Sequence, residues 1–218
     1  MTVLDCYKYV QERLNRLSSN KGNNIPKHSF VSAFNSVQLA WVEDRAKLAE
    51  RNIVRTDEIQ QLLKETSFNS PVLKTNWYEV DLPADYFHYK RSTSIAECEL
   101  RNILVKEGDI NSLLRNDNWK PSVEWGETLC TLVGNKLRVY IDNFTINSVY
   151  LLYYRLPLNI NMDDGNNDVN GIPTTDVDPE FNGSSLIEIL NMTSELLAAD
   201  NADQWNLQAM MQRNLKHN

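Results

Sequence analysis

From Glu127 to Pro157 the chain alternates apolar and polar residues as three short antiparallel strands would. Leu129, Thr131 and Val133 precede Gly134-Asn135, and Leu137, Val139 and Ile141 follow it, so the dipeptide supplies a two-residue hairpin turn at positive φ and fixes the register. The third stretch is apolar on both faces. Val149, Leu151 and Tyr153 form one face, and Ile146, Tyr150, Leu152 and Tyr154 the other, the pattern of a central strand covered on both sides.

Upstream the period is helical. Thr2 caps a first helix with Val3, Tyr7, Val10, Leu14 and Leu17 on one stripe. Residues 18–27 break it. A second, longer helix starts at Ser29 and turns Phe30, Phe34, Val37, Trp41 and Leu48 inward, and Thr56 caps a short third helix ending near Lys64. Tyr78, Val80 and Leu82 then alternate as a strand closed by Pro83. Residues 84–91 fit no single period, and residues 93–106 satisfy either a strand or a helix, the strand being preferred because the rest of this half has that period. Asp109 caps a short helix through Leu114.

After Pro157, residues 158–183 carry Asp163, Asp164, Asp168, Asp176, Asp178 and Glu180 with no Lys or Arg, the composition either of a loop disordered on its own or of a binding arm. Ser185 and Glu188 form a capping box for a further helix. Asn201 and Gln204 repeat it for a last one bearing Trp205, Leu207, Met211 and Leu215. The expected fold is α+β, with N- and C-terminal helices packed together and a central antiparallel β-sheet or sandwich. Its parts are an N-terminal helical part (1–66), a β domain (67–157), the acidic arm (158–183) and C-terminal helices (184–218).

The formal charge of −7 opposes duplex binding, which rests on cations displacing counterions, and no Lys/Arg run occurs. Cys6, Cys98 and Cys130 make an odd count without a Cys-x-x-Cys pair, as expected of free thiols in a reducing compartment. The first residues lack the apolar core of a signal peptide, and no stretch reaches eighteen apolar residues, so the expectation is a protein made in the cytosol with no membrane span.

Chemistry is sparse. Neither phosphate-cradling glycine pattern occurs among the seven glycines. The histidines are His28, His88 and His217; His88 near Asp85 has no nucleophile elbow to serve. Asn166, Asp168, Asn170 and Gly171 mimic the start of a calcium loop, but its twelfth position falls on Val177. Glu97 and Glu99 share one strand face, as a carboxylate-pair hydrolase could use. Tyr86, Phe87, Tyr89, Lys90 and Arg91 interleave aromatics with cations as single-strand binders do, without a second basic cluster. Trp77, Tyr86 and Trp125 would mark a β-sandwich glycan-binding module if they stood together on one sheet face. No catalytic, cofactor-binding or metal-ligating residue is assigned. The Trp41 stripe reads as helix–helix core, whereas Trp205, Met210 and Met211, at a chain end, fit helix–helix core and a partner surface equally.

Several pieces recur in a known order: Asp81-Leu82-Pro83-Ala84-Asp85-Tyr86, Asn118-Trp119-Lys120-Pro121-Ser122, Gly134 to Tyr140, Val149-Tyr150-Leu151-Leu152-Tyr153-Tyr154-Arg155-Leu156-Pro157, and Val177-Asp178-Pro179-Glu180-Phe181 leading into a helix. In these the chain resembles the head-to-tail adaptor (connector, or ring) proteins of short-tailed bacteriophages, including crAss-like phages. The resemblance covers about half the chain. It implies a virion protein without catalysis or cofactor, a homo-oligomeric ring of twelve that links the portal protein to the next tail or ring protein. Terminal helices would engage the portal, the β-domain would face the tail, and DNA would meet the ring only in passage. Twelve copies would carry roughly −84 before screening, a lumen along which DNA slides. The candidate partner contacts are Asp163, Asp164, Asp168, Asp176, Asp178 and Phe181 of the arm, with Trp205, Met210 and Met211 behind it.

Overall fold

A computed structural model describes residues 1–16, 25–49, 53–163 and 175–200. The chain divides into two compact units, Met1–Ile59 with Pro157–Asn218, and Gln60–Leu156. The fold is α+β, with helices at both ends of the chain and an eight-stranded curled sheet between them.

The first unit is built from α1 (Val3–Asn15), α2 (Lys27–Ala49) and a helix from the C-terminal part of the chain, Gly183–Asp200, here α4; α4 packs on both others. Thr2 caps α1 as expected: its hydroxyl accepts from Asp5 N (3.2 Å), and the Asp5 carboxylate accepts from Thr2 N (3.1 Å). Val3, Cys6, Val10 and Leu14 are buried on its inner face. Helix α2 begins at Lys27, two residues before Ser29, because Ser29 N and Phe30 N already bond to the carbonyl of Pro26. Phe30, Phe34, Val37 and Trp41 are all buried, as their spacing predicts. Glu188 does not close a capping box: α4 starts at Gly183, and the Glu188 carboxylate accepts from Arg45 on α2 (2.7 Å), a residue also held by Glu58 (2.7 Å) and lying over the Trp41 ring.

Residues expected to end a third helix do something else. A 3-10 helix, Ile53–Leu62, runs directly into strand β1 (Leu63–Phe68), whose polar sequence LKETSF gave no strand signal; pairing with a central strand along its full length outweighs its weak propensity. The sheet continues with β2 (Val72–Leu73), β3 (Trp77–Asp81), β4 (Tyr86–Ile95), β5 (Glu99–Leu104), β6 (Glu127–Val133), β7 (Lys136–Tyr140) and β8 (Ser148–Arg155), in spatial order β1-β8-β4-β5-β6-β7-β3-β2. The single strand expected over 93–106 is thus two strands, turning at Ala96–Cys98, and residues 84–91 supply the start of the first.

Two further expectations change. The sheet is not wholly antiparallel, since β5 and β6 run parallel. Their connection passes through α3 (Ile110–Leu114) and a long loop, and a crossover of that kind returns the chain in the same direction. Strand β8 does not pair with the β6–β7 hairpin but crosses over to lie between β1 and β4. In the hairpin only Gly134 takes positive φ, +58°; among the described non-glycine residues that conformation belongs to Asn143.

One core cluster joins Tyr78, Val80, Leu137, Val139 and Cys130 to Val149, Leu151 and Tyr153. In a flat sheet β7 would lie about 19 Å from β8, four strand spacings away, so the sheet curls to let these side chains meet. The outer face of β8 is half-buried, apart from Tyr154, which is fully buried. A smaller cluster of Ile110, Leu129 and Tyr140 sits under α3.

All three cysteines are free, and burial pushes the thiols of Cys6 and Cys130 up to about 11, whereas Cys98 is exposed in the β4–β5 turn. In dilute native protein at pH 8, mass spectrometry after maleimide treatment is expected to show a single adduct, on Cys98, and three after denaturation. Rapid native labelling of Cys130 would contradict this packing.

Candidate interaction surface

Both ends of the arm are tied to the helical unit. From α2, Gln38 donates to the Leu158 carbonyl (2.9 Å), and Asn35 holds Ile160 through both its carbonyl (3.1 Å) and its N–H (2.8 Å). Glu180 accepts from Leu158 N (2.7 Å), and Asn161 and Val177 exchange backbone hydrogen bonds. Asp163 is exposed; its carbonyl accepts from Lys27 (2.6 Å) and its N–H donates to Asp176 (2.7 Å). Asp178 accepts from Val3 N (2.7 Å) at the start of α1, where unpaired N–H groups favour a carboxylate. Phe181 is only 1% exposed and packs edge-on against Trp41, ring centroids 5.2 Å apart. The structure thus gives Asp176, Asp178 and Phe181 work inside the chain. Asp164 and Asp168, the calcium-loop mimic from Asn166 to Gly171, and the C-terminal Trp205, Met210 and Met211 lie outside the described residues.

The residues proposed for a glycan face do not stand together. Trp77 lies against Tyr140 with Arg138 over its ring, and Tyr86 lies against Tyr153 in the inner core cluster. Trp125 is different: it is 64% exposed, and Trp119, six residues before it, is 55% exposed. Their loop is well tied. Trp119 N and Lys120 N bond to the Asn116 carbonyl, Pro121 is buried, Ser122 and Glu127 exchange backbone hydrogen bonds, and Gly126 turns the chain at φ +67°. Two indoles are therefore held out toward solvent by ordered backbone.

Two hollows flank them. One, of about 450 Å³, is lined by Glu97, Asp117, Lys120, Asp142 and Phe144 with Trp125; Lys120 pairs with Asp117 (2.6 Å). The other, about 320 Å³, has Ile103 and Leu129 as an apolar floor between Trp119 and Trp125. Glu97 and Glu99 are both exposed beside Cys98, at the β4–β5 turn, and no histidine lines either hollow. Among the described residues no group of three His, Cys, Asp or Glu side chains is placed to hold a metal ion, and no helix is long and apolar enough to cross a membrane.

A third hollow, about 600 Å³, opens where β4 and β5 part. These strands pair only from Ser92 to Ile95; beyond that point β5 runs on beside β6 while β4 stays with β8 through two register shifts. A polar network marks the parting. Asn102 donates to Ser92 (2.9 Å), Ser94 donates to Asn102 (2.9 Å), and the Tyr89 hydroxyl lies 3.0 Å from Ser92. Burial raises the pKa of that phenol, which keeps it neutral inside the network. Lys90, Arg91 and Arg101 line the opening. Sequence reasoning had Lys90 and Arg91 without a second cluster; Arg101 supplies the missing partner from across the parting. The available signal was the inward Ser92 and Ser94 alternating with the outward Arg91 and Thr93, a polar inner face that marks the point where pairing ends.

The sequence matches no family model and no curated protein.

Asp85 anchors the start of β4. It pairs with Lys64 of β1 (2.7 Å) and accepts from the Tyr153 hydroxyl of β8 (2.7 Å), and its backbone carbonyl holds Leu156 N. The Lys64 bond, joined by that of Tyr153, holds its carboxyl below the usual range, and the same pair raises Lys64. A depressed carboxylate contributes stability above its unfolded pKa, about 4, and loses it as pH falls through the lower folded value. Asp85→Asn is therefore expected to cost about 1 kcal/mol at pH 7, discounted for the pair's partial exposure, with the gap to wild type closing below about pH 4. Urea titrations of both proteins at pH 7 and pH 3 measure it; an equal gap at both values would refute the assignment.

Proposed function

We propose that this chain is a structural component of a virion, a head-to-tail adaptor that assembles with copies of itself into a ring between the portal and the next tail component. The observation that carries the reading is the pair of exposed indoles, Trp119 and Trp125, held by an ordered loop within the stretch that resembles the phage adaptors. Tryptophan is concentrated at the energetic centres of protein interfaces, and leaving two of them in water is costly unless a protein surface covers them. Around them lie acids and one paired lysine, a surface suited to shape recognition. Further apolar side chains are exposed at intervals elsewhere, Val72 and Leu73 on the short β2 edge and Ile187 and Leu196 on α4. Separate contact surfaces are what a ring subunit needs, because it meets two neighbours of its own kind and two unlike rings.

In this reading the terminal helices engage the portal and the β unit faces the tail. DNA passes through without sequence-specific contact, repelled by the negative balance. The acidic arm keeps a partner role only through residues between its two anchored ends.

Mass photometry and negative-stain imaging of the purified full chain test the proposal. The expected species is a closed ring of about twelve copies, about 300 kDa from a 25.2 kDa chain. A chain that remains monomeric at tens of micromolar, alone and with its capsid components, would sink it.

A further inference from the structure

The paired strands β4 and β5 carry opposite charge at their two ends. At the turn end stand Glu97 and Asp142, neither ion-paired among the described residues, with Trp125 exposed beside them. At the parting end stand Lys90, Arg91 and Arg101, with no acid in the lining of the hollow. Arg91 and Arg101 make no ion pair among the described residues, although Glu127 lies opposite Arg101 in the parallel register. From Lys90 to Ile95, where β4 gives way to the turn that carries Glu97, is five residues of strand, roughly 16 Å, so the two ends are separate surfaces.

We infer that the two ends meet in the assembled protein, the acidic, indole-bearing end of one copy seating in the basic cleft of the next. This rests on the ring reading and adds the seam to it. The occupant is argued from complementarity. Three cations lining one hollow repel each other until carboxylates arrive, and the hollow at the turn end brings together Glu97 and, from the β7–β8 connection, Asp142, neither in an ion pair among the described residues, beside a tryptophan face on which a guanidinium can stack. Because donor and acceptor surfaces differ, the contact is head-to-tail, and a head-to-tail contact closes a ring when the rotation from copy to copy divides the full circle without a rise along the axis. Between Tyr89 and Arg91, moreover, β4 has no strand on its cleft side among the described residues, so the seam can add backbone hydrogen bonds. A single-stranded nucleic acid is the rival occupant of the cleft. It is disfavoured because the indoles on which its bases would stack are bordered by Glu97, Asp117 and Asp142.

The test uses charge reversal in the full chain at about 50 mM salt, where such contacts are least screened. Arg91→Glu with Arg101→Glu, and separately Glu97→Arg with Asp142→Arg, should each lower the assembled fraction at least tenfold by mass photometry. The four changes together should restore it. All four side chains are exposed, and melting temperatures check that each variant is folded. A second readout needs no variant: Cys98 adjoins Glu97 and should react with maleimide at least tenfold more slowly in assembled wild type than in dissociated protein. If wild-type rings form but survive both reversals with Cys98 still reactive, the seam lies elsewhere and the ring reading stands. If wild type is monomeric, both fall. Salt-sensitive retention of a single-stranded oligonucleotide by wild type, lost in the Arg91/Arg101 variant while rings persist, would overturn the seam in favour of the rival.

Discussion

Strand β8 is hydrogen-bonded along both edges, to β1 on one side and β4 on the other, and its inner side chains Val149, Leu151 and Tyr153 are wholly buried. The rest of the β unit depends on this. The inner residues of β3, β6 and β7 can be buried only by curling back onto β8, so one strand supplies both the centre of one half of the sheet and the floor beneath the other half. Each large apolar side chain fully buried there stabilises by about 1.5–3 kcal/mol relative to exposure. Tyr153 adds a polar tie, since its hydroxyl reaches Asp85 and through it Lys64, so that β1, β8 and the entry to β4 are clamped at one point.

The same arrangement decides which surfaces are left open on β4 and β5. A sheet that curls about β8 keeps β4 with β8 and β5 with the crossover strand β6, and the two must part somewhere. They part at a buried amide and two serines, not at a hydrophobic contact, and the cations of both strands are left facing one opening. The crossover itself produces the other surface, because a connection long enough to bring β6 back parallel needs a loop, and that loop carries Trp119 and Trp125. Topology, not a sequence motif, places these residues.

That explains how far the sequence could be read. The capped first helix, the stripe of α2, the β6–β7 hairpin and the two-sided burial of β8 all follow from local periodicity, which each element satisfies within its own residues. Strand β1 was illegible because polar residues occupy both of its faces, Lys64 and Thr66 sharing one with Phe68, and only pairing with β8 makes it a strand. The parallel β5–β6 pair and the jump of β8 across the sheet are decisions of the whole chain. At the surface, Phe181 and Asp178 looked like parts of a free arm because nothing local shows that Trp41 and the first turn of α1 await them. Arg101 was hidden inside a run read as a single strand, and only the turn at Ala96–Cys98 brings it across from Arg91 and Thr93.

The central claim is that the molecule acts by presenting surface to copies of itself. Hydrogen–deuterium exchange of the full chain at two concentrations, one below and one above the onset of assembly, tests it most directly. The account predicts new backbone protection confined to the seam segments, 88–104, 117–126 and 141–144, in the concentrated sample, with the strand β8 amides equally slow in both. Protection unchanged in those segments, or gained only in a cavity when a small molecule is added, would contradict it.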